Sequence, residues 1–456
     1  MQNNLQFYCN KNSLTCANII CHMCKRKIKM KRSKSLSPEP SSSEAKRVKL
    51  EVTDLNGATS PNILEFSDDV LLYILKYLDP QDLMTLSLCC QRFARLTQDR
   101  TLWRNVDFRT QPMVLDDFDK YTKFLQPMTT SLAIRGDLVS NNTVLTQSFL
   151  KNVRTLCKQL KELIIEDYHI NGDKIPITDF PSTIEKLSLE GCEMDYAQQN
   201  KSYFFKMDLH MPNLRCLILN FCDWFTPHSL LVISKIPKLT ELRLYSCSRM
   251  GECVAYASLA TRFGFKTLEI LDLRNTGIGD SEVGCFSSTK SLQHLYLECP
   301  EHLREESPEI IQRQQQQRQR QANALQMPAI FEDDHLAQFL VEDEFVFERN
   351  YSMRCLVSDR AICALGSDLC DRRVINSSPE GMIIAQEEKQ VSNNPNLKTL
   401  VVRHYPRVTN SSLTHLAFNV STLEYLDVTG TSVTSEGIEA FKSERPSVKI
   451  VSSFMT

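Results

Sequence analysis

Long apolar runs are missing from this chain. Nothing in its 456 residues approaches the roughly eighteen consecutive apolar residues that a spanning helix requires. The N-terminus also lacks a basic start followed by an apolar core and a small-residue cleavage site, so a soluble, unsecreted chain is expected. There is no Gly-rich phosphate loop, no H-E-x-x-H and no G-x-S-x-G, and the histidines and aspartates are scattered. A non-enzyme without a cofactor is the reading this favours. The 17 cysteines, without a secretory signal, argue for reduced thiols rather than a disulfide framework. The net charge of −2 is close to balance, and neither a membrane nor nucleic acid is expected as a partner.

What is present is strongly uneven along the chain. Between Lys25 and Lys49 ten Lys/Arg stand against two Glu, mixed with SKSLSPEPSSSE. Such a composition buries too little apolar surface to offset ordering, so residues 1–60 are expected to be a disordered basic tail. The cluster Lys46, Arg47 and Lys49, with KRKIKMKR upstream, fits a nuclear-import signal, and a nuclear and cytoplasmic chain is expected. A solvated basic tail or a weak nucleic-acid contact is the plainer alternative. Proline-directed Ser37 is a candidate phosphorylation site. Cys9, Cys16, Cys21 and Cys24 give C-x6-C-x4-C-x2-C, but the irregular spacing and the absence of turn-shaping glycines argue against zinc. Met30, followed by KRSKS, would make an equally sensible start.

Residues 61–108 read as a compact helical module. Asp68 and Asp69 form an acidic first turn, then Val70, Leu71, Ile74, Leu75 and Leu78 recur at helical steps. Asp79 and Pro80 open a second helix with Leu83, Leu86 and Cys90 on one side. A third segment carries Phe93 and Leu96, then Leu102 and Trp103. A unit of this size is near the lower limit of independent stability, so some of its apolar residues should meet a partner or the next domain. The runs DDVLLYILKYL, QDL, CCQRFARL and TLWRNV resemble the F-box family over the whole module. Ser67 stands where that family usually has proline, and Gln91 beside Arg92 departs from its C-R segment. The resemblance implies a helix-in-groove contact with a Skp-type adaptor, and through it with a cullin and a RING subunit. Val70, Leu71, Ile74, Leu78, Leu83, Leu86, Phe93, Leu102 and Trp103 are the adaptor-binding candidates, some of which must instead be the module's own core.

From Ser131 onward the pattern L-x-x-L-x-L-x-x-(N/C/T) recurs. The instances are LKELIIEDY, IEKLSLEGC, LRCLILNFC, LTELRLYSC, LEILDLRNT, LQHLYLECP, LKTLVVRHY and LEYLDVTGT, with a degenerate ninth at TSLAIRGD. The second leucines, at 163, 187, 217, 242, 271 and 295, lie 24, 30, 25, 29 and 24 apart, which brackets the leucine-rich repeat. Offsets of three and five place two leucines of each unit on one strand face. Stretches such as SLLVISKIPKL supply helices between strands. The expected fold is α/β: a short three-helix F-box followed by a curved leucine-rich-repeat solenoid, with parallel strands inside and helices outside. Cys192, Cys222 and Cys247 fall at the turn position that ends the strand, where they should pack as a ladder rather than bind metal.

Repeats are expected over 109–300 and 353–456, interrupted by a low-complexity and acidic insert over 301–352. Leu295 and Leu400 are 105 residues apart, and QRQQQQRQRQ and seven carboxylates from Glu332 to Glu348 lie between them. SDRAICALGSDL looks like a surviving repeat helix, so one or two degenerate repeats could be hidden in the gap. The phenylalanines 331, 339, 345 and 347 leave open a regulatory or partner-binding role for the insert.

Residues alternating with the core leucines should face a client. Among these, Ile218, Asn220, Arg243, Tyr245, Asp272, Arg274, His294 and Tyr296 are the substrate-binding candidates, against the plainer reading of a solvated face. An F-box followed by leucine-rich repeats is a known family architecture. Within it, KIPITDFPSTIEKLSLEGCEM looks like the corresponding stretch of one vertebrate member that lacks the long insert. The resemblance implies the substrate-recognition subunit of a Skp-cullin-F-box ubiquitin ligase, which recruits an unknown protein for ubiquitination and proteasomal degradation. The alternative is an interaction scaffold that uses the F-box in a non-degradative complex.

Overall fold

The computed structural model describes residues 63–139, 143–195, 202–251, 253–304, 357–366, 368–369 and 391–454. The basic tail with Lys46, Arg47 and Lys49, the cysteines up to Cys24, and residues 305–356 of the insert lie outside the described residues. The chain divides into two units, the first over 1–170 with 179–184, the second over 171–178 and 185–455.

In the first unit three short helices, α1 (Asp68–Leu75), α2 (Pro80–Ser87) and α3 (Gln91–Leu96), precede β1 (Asn105–Asp107). Leu71, Leu75, Leu83, Leu86, Phe93 and Trp103 meet in the interior of this helical module. The three helices alone leave Trp103 uncovered. Its ring stacks on Phe124, 4.4 Å between centroids, and its Nε1 donates to the Thr97 carbonyl at 2.7 Å. After α4 (Leu115–Phe118), the strands β2 (Ser131–Arg135) and β3 (Glu162–Glu166) run parallel to β1, with α5 (Gln147–Leu156) crossing between them. Leu163 and Ile165 of β3 are buried, while Glu162, Ile164 and Glu166 between them are half-buried, the period-two pattern of a strand with one core face.

The second unit lays down eight parallel strands in chain order. They are β4 (Lys186–Ser188), β5 (Cys216–Ile218), β6 (Glu241–Arg243), β7 (Ile270–Arg274), β8 (His294–Glu298), β9 (Thr399–Arg403), β10 (Tyr425–Asp427) and β11 (Lys449–Val451). Leu187, Leu217, Leu242, Leu271, Leu295, Leu400, Leu426 and Ile450 stand directly opposite one another from strand to strand. All eight side chains are buried, so the repeated leucine forms one continuous row through the core.

Helices fill the connections: α6 (Met207–His210), α7 (Ser229–Ile233), α8 (Val254–Phe263), α9 (Asp280–Ser287), α10 (Asp359–Cys363), α11 (Asn410–Asn419) and α12 (Ser435–Glu444). Each packs on its neighbour in sequence, making a second layer beside the sheet.

β8 pairs directly with β9, so no strand of a further repeat lies between them in the sheet. The long gap therefore opens within a single repeat, whose helix is α10. The helix starts bind that repeat on both sides. The Asp280 carboxylate accepts from Ser358 N and Oγ at 2.7 and 2.6 Å, and Asp359 accepts from Thr409 N and Oγ1 at 2.8 and 2.6 Å. Asn410 Oδ1 accepts from Thr434 N at 3.0 Å. Ser358, Thr409 and Thr434 are the N-caps of α10, α11 and α12, so the residue at each helix start holds the cap of the next.

Candidate functional site

The helical module divides its apolar residues between a core and a surface. Of the nine adaptor-binding candidates, Leu71, Leu78, Leu83, Leu86, Phe93 and Leu102 are buried, and so is Trp103, whose ring is covered by Phe124 beyond the module. Val70 is 43% exposed and Ile74 half-buried. The surface has further apolar members that the sequence reading missed: Phe66, Tyr73, Tyr77 and Leu88, the last 69% exposed. Val70 and Tyr73 of α1, and Tyr77 in the turn just after it, recur at helical spacing, away from Leu71, Leu75 and Leu78. That spacing was the available signal. Tyr73 and Tyr77 meet edge to face at 5.8 Å, and Lys76 Nζ sits 3.5 Å from the Tyr73 ring centroid.

Arg92 fixes how the chain enters this surface. Its guanidinium donates to Asp68 Oδ1 and to the carbonyl oxygens of Leu64 and Phe66, which ties the lead-in segment to α3. Arg95 donates to the other Asp68 oxygen at 2.8 Å. The hydrogen bond from Arg92 is the main reason that the Asp68 carboxyl is held below its ordinary value.

In the second unit the strand-face candidates centre on Asp272, which is only 1% exposed. Its carboxylate accepts from Arg274 Nη2 at 2.7 Å, Arg274 Nε at 2.9 Å and Arg274 N at 3.2 Å, and Arg243 Nη1 stands 3.8 Å away. Asp272 is thus beneath the surface and aims the arginines. The Arg274 guanidinium lies between two rings, 5.2 Å from Tyr245 and 5.6 Å from Tyr296. Arg243 pairs also with Glu241.

Asn220 is committed to the backbone scaffold. Its Oδ1 accepts from Tyr245 N at 3.1 Å and its Nδ2 donates to Glu190 at 3.2 Å. Ile218 and His294 are half-buried. Burial, and then the charge of Lys398, holds the His294 imidazole below its ordinary pKa. The same device recurs further along, where buried Asp427 accepts from Arg403 at 2.6 and 2.9 Å.

Phe221 belongs to this surface and was not among the candidates. It is 51% exposed, its ring meets Tyr245 edge to face at 5.0 Å, and its backbone is left-handed with φ of +58°. Equivalent turn positions hold Asp167, Gly191, Ser246, Asn275, His404 and Gly430, also at positive φ. A phenylalanine there is out of keeping with the conformation, and that mismatch was legible in LRCLILNFC.

The cysteine ladder has the expected geometry. Cys222 Sγ donates to the Leu189 carbonyl of the preceding repeat, and Cys247 Sγ to that of Leu219, each at 3.1 Å. Burial pushes the Cys247 thiol up to about 12 and the Cys222 thiol well above its ordinary value. Among the described residues no three metal-ligating side chains converge, and no helix is long and apolar enough to cross a membrane.

The F-box-like family model matches residues 68–109, and a Leucine Rich repeat model matches residues 421–442. The chain thus carries an F-box-like match ahead of a leucine-rich-repeat match. It is similar to human F-box/LRR-repeat protein 12, with 29% identity over 214 residues, which cover 46% of this chain and 64% of that protein. The mouse F-box/LRR-repeat protein 12 is 28% identical over the same shares. The chain thus spans less than two thirds of the length of these curated relatives. Among solved structures, a chain of the mouse RP105/MD-1 complex is similar over 70% of this chain and 37% of its own, at 14% identity and a TM-score of 0.34.

Proposed function

We propose that this chain is the substrate-recognition subunit of a Skp-cullin-F-box type ubiquitin ligase. In this reading the F-box-like module holds a Skp-type adaptor, and through it a cullin and a RING subunit. The strand face of the repeats recruits the protein to be ubiquitinated and degraded. The chain itself performs no catalysis and acts in the nucleus and cytoplasm, the import signal being Lys46, Arg47 and Lys49.

The observation that carries the reading is the set of apolar side chains Phe66, Val70, Tyr73, Tyr77 and Leu88, which stand exposed on a module whose Leu71, Leu75, Leu83, Leu86 and Phe93 are buried. A partner that inserts helices over these side chains gains the area burial that the free module forgoes. On the repeats, Phe221, Tyr245, Arg274 and Tyr296 bring together the residue types that dominate protein interfaces.

The test is affinity purification of the wild-type chain beside a Val70→Glu, Leu88→Glu variant, which alters the surface and leaves the core intact. Adaptor and cullin should co-purify with wild type only, while client proteins remain on the variant. Absence of adaptor and cullin from the wild-type sample would show the reading to be wrong.

A further inference from the structure

The second unit has a basic edge that neither the adaptor surface nor the strand face uses. Five consecutive connections from a helix end into the following strand pass along it, through residues 211–215, 235–240, 264–269, 288–293 and 394–398. These connections are stitched side by side by backbone bonds of 2.8 Å, from Thr240 N to Arg215 O, Glu269 N to Thr240 O, Gln293 N to Glu269 O and Lys398 N to Gln293 O. Lys238 Nζ donates to Asn213 Oδ1 at 2.7 Å, and Asn396 Nδ2 to Lys290 O at 3.0 Å.

Along this row stand Arg215, Lys235, Lys238, Lys266, Lys290 and Lys398, against three carboxylates: Glu269 within it and, where the same stitching continues, Glu185 and Glu424 at its two ends. All but half-buried Lys398 are exposed. None of the six forms an ion pair among the described residues. Helix ends at the same edge expose apolar side chains: Phe263, the last residue of α8, is 68% exposed and Leu209 of α6 is 75% exposed. Cations interleaved with protruding apolar groups call for a partner that is both acidic and apolar.

We propose that this edge docks the acidic segment Phe331 to Glu348 of the same chain. Its sequence, FEDDHLAQFLVEDEFVFE, carries seven carboxylates, no Lys or Arg, and four phenylalanines. The charge is complementary, and the phenylalanines match the exposed apolar side chains.

Reach also permits it. Glu348 is nine residues from Val357, at the N-terminal end of α10, and nine residues span at most about 30 Å. The edge lies one helix length away, about 15 Å for the ten residues of α8. From α10 to α8 is two helix spacings, about 20 Å, because α10 packs on α9 and α9 on α8. The direct path of about 25 Å is within the tether. Single-stranded nucleic acid fits less well, since of the two protruding side chains only Phe263 offers a ring on which a base can stack and Leu209 offers none.

The test is zero-length carbodiimide coupling of the full-length chain, as a mixture of normal and ¹⁵N-labelled copies, with the linked peptides mapped. Expected are links within one copy from Lys235, Lys266 or Lys290 to carboxylates of 332–348, falling about tenfold in about 0.5 M salt. A variant with those seven carboxylates changed to amides should lose the links. It should also bind single-stranded RNA or phosphatidylserine vesicles more tightly than wild type, because its edge is uncovered. The proposal is overturned if wild type shows no such links, if they join only different copies, or if wild type binds these polyanions as tightly as the amide variant.

Discussion

The indole Nε1 of Trp103 donates to the Thr97 carbonyl at 2.7 Å, at the end of α3, while its ring stacks on Phe124 beyond the helical module. Trp103 therefore closes the module's core from the side of the following strands, and a change there acts on folding before it acts on any partner. Trp103→Ala should cost about 3–5 kcal/mol, the cavity and transfer cost of losing a buried aromatic. Urea titration would measure it, and a loss below about 1 kcal/mol would contradict this placement.

Asp272 is the buried counter-charge of two partly exposed arginines. Asp272→Asn should cost about 1–3 kcal/mol, towards the lower end because solvent can rehydrate Arg243 and Arg274. The larger consequence should be on client capture, since both guanidiniums lose their fixed direction. Arg274→Lys, which keeps the charge but loses the bidentate fork and the stacking on Tyr245 and Tyr296, should weaken capture as well. A pull-down in which both variants retain clients at the wild-type level would remove this surface from the client site.

Asp359 supplies an acid-sensitive contact between repeats. Burial opposes its charge, but hydrogen bonds from Ser412 and Thr409 outweigh burial and leave its pKa below the ordinary value. Its contribution is therefore fully present above the unfolded carboxyl value of about 4 and is lost as pH falls through the lower folded value. Asp359→Asn should flatten this part of the acid limb of a stability-versus-pH curve. An unchanged acid limb would show that the carboxylate holds α11 no better than an amide.

The ladder thiols should be inert in the folded chain. With the Cys247 thiol pushed up to about 12, the native state keeps its proton where an unfolded thiol, near 8.5, loses it. This contribution to stability is complete below about pH 8.5 and declines as pH rises towards 12. At neutral pH, iodoacetamide should reach the half-buried Cys89, Cys90 and Cys363 well before Cys222 or Cys247. Mass mapping of a time course would show the order, and early labelling of Cys222 would contradict the ladder geometry.

The repeat strands were legible because their signal is local: two leucines at offsets three and five reach one core face whatever the partner strand. The edge strands β1 and β11 were missed, since Asn105–Asp107 and Lys449–Val451 lack the leucine pattern and are defined by pairing with β2 and β10. In the helical module the apolar positions were readable, but their division was not. Helical spacing shows that Val70 and Leu71 are both apolar, whereas only the packing of α3 against α1 decides which is covered.

By itself the sequence determined the class of fold, through a leucine period that buries one face of each strand, and the turn position at which Cys222 packs. Tertiary structure alone decided that Leu295 and Leu400 are neighbours, so that the long insertion lies inside one repeat. It also placed Asp272 beneath the surface and Phe221 upon it. Strand pairing and burial depend on contacts between residues far apart in the chain, and a local pattern carries no record of those contacts.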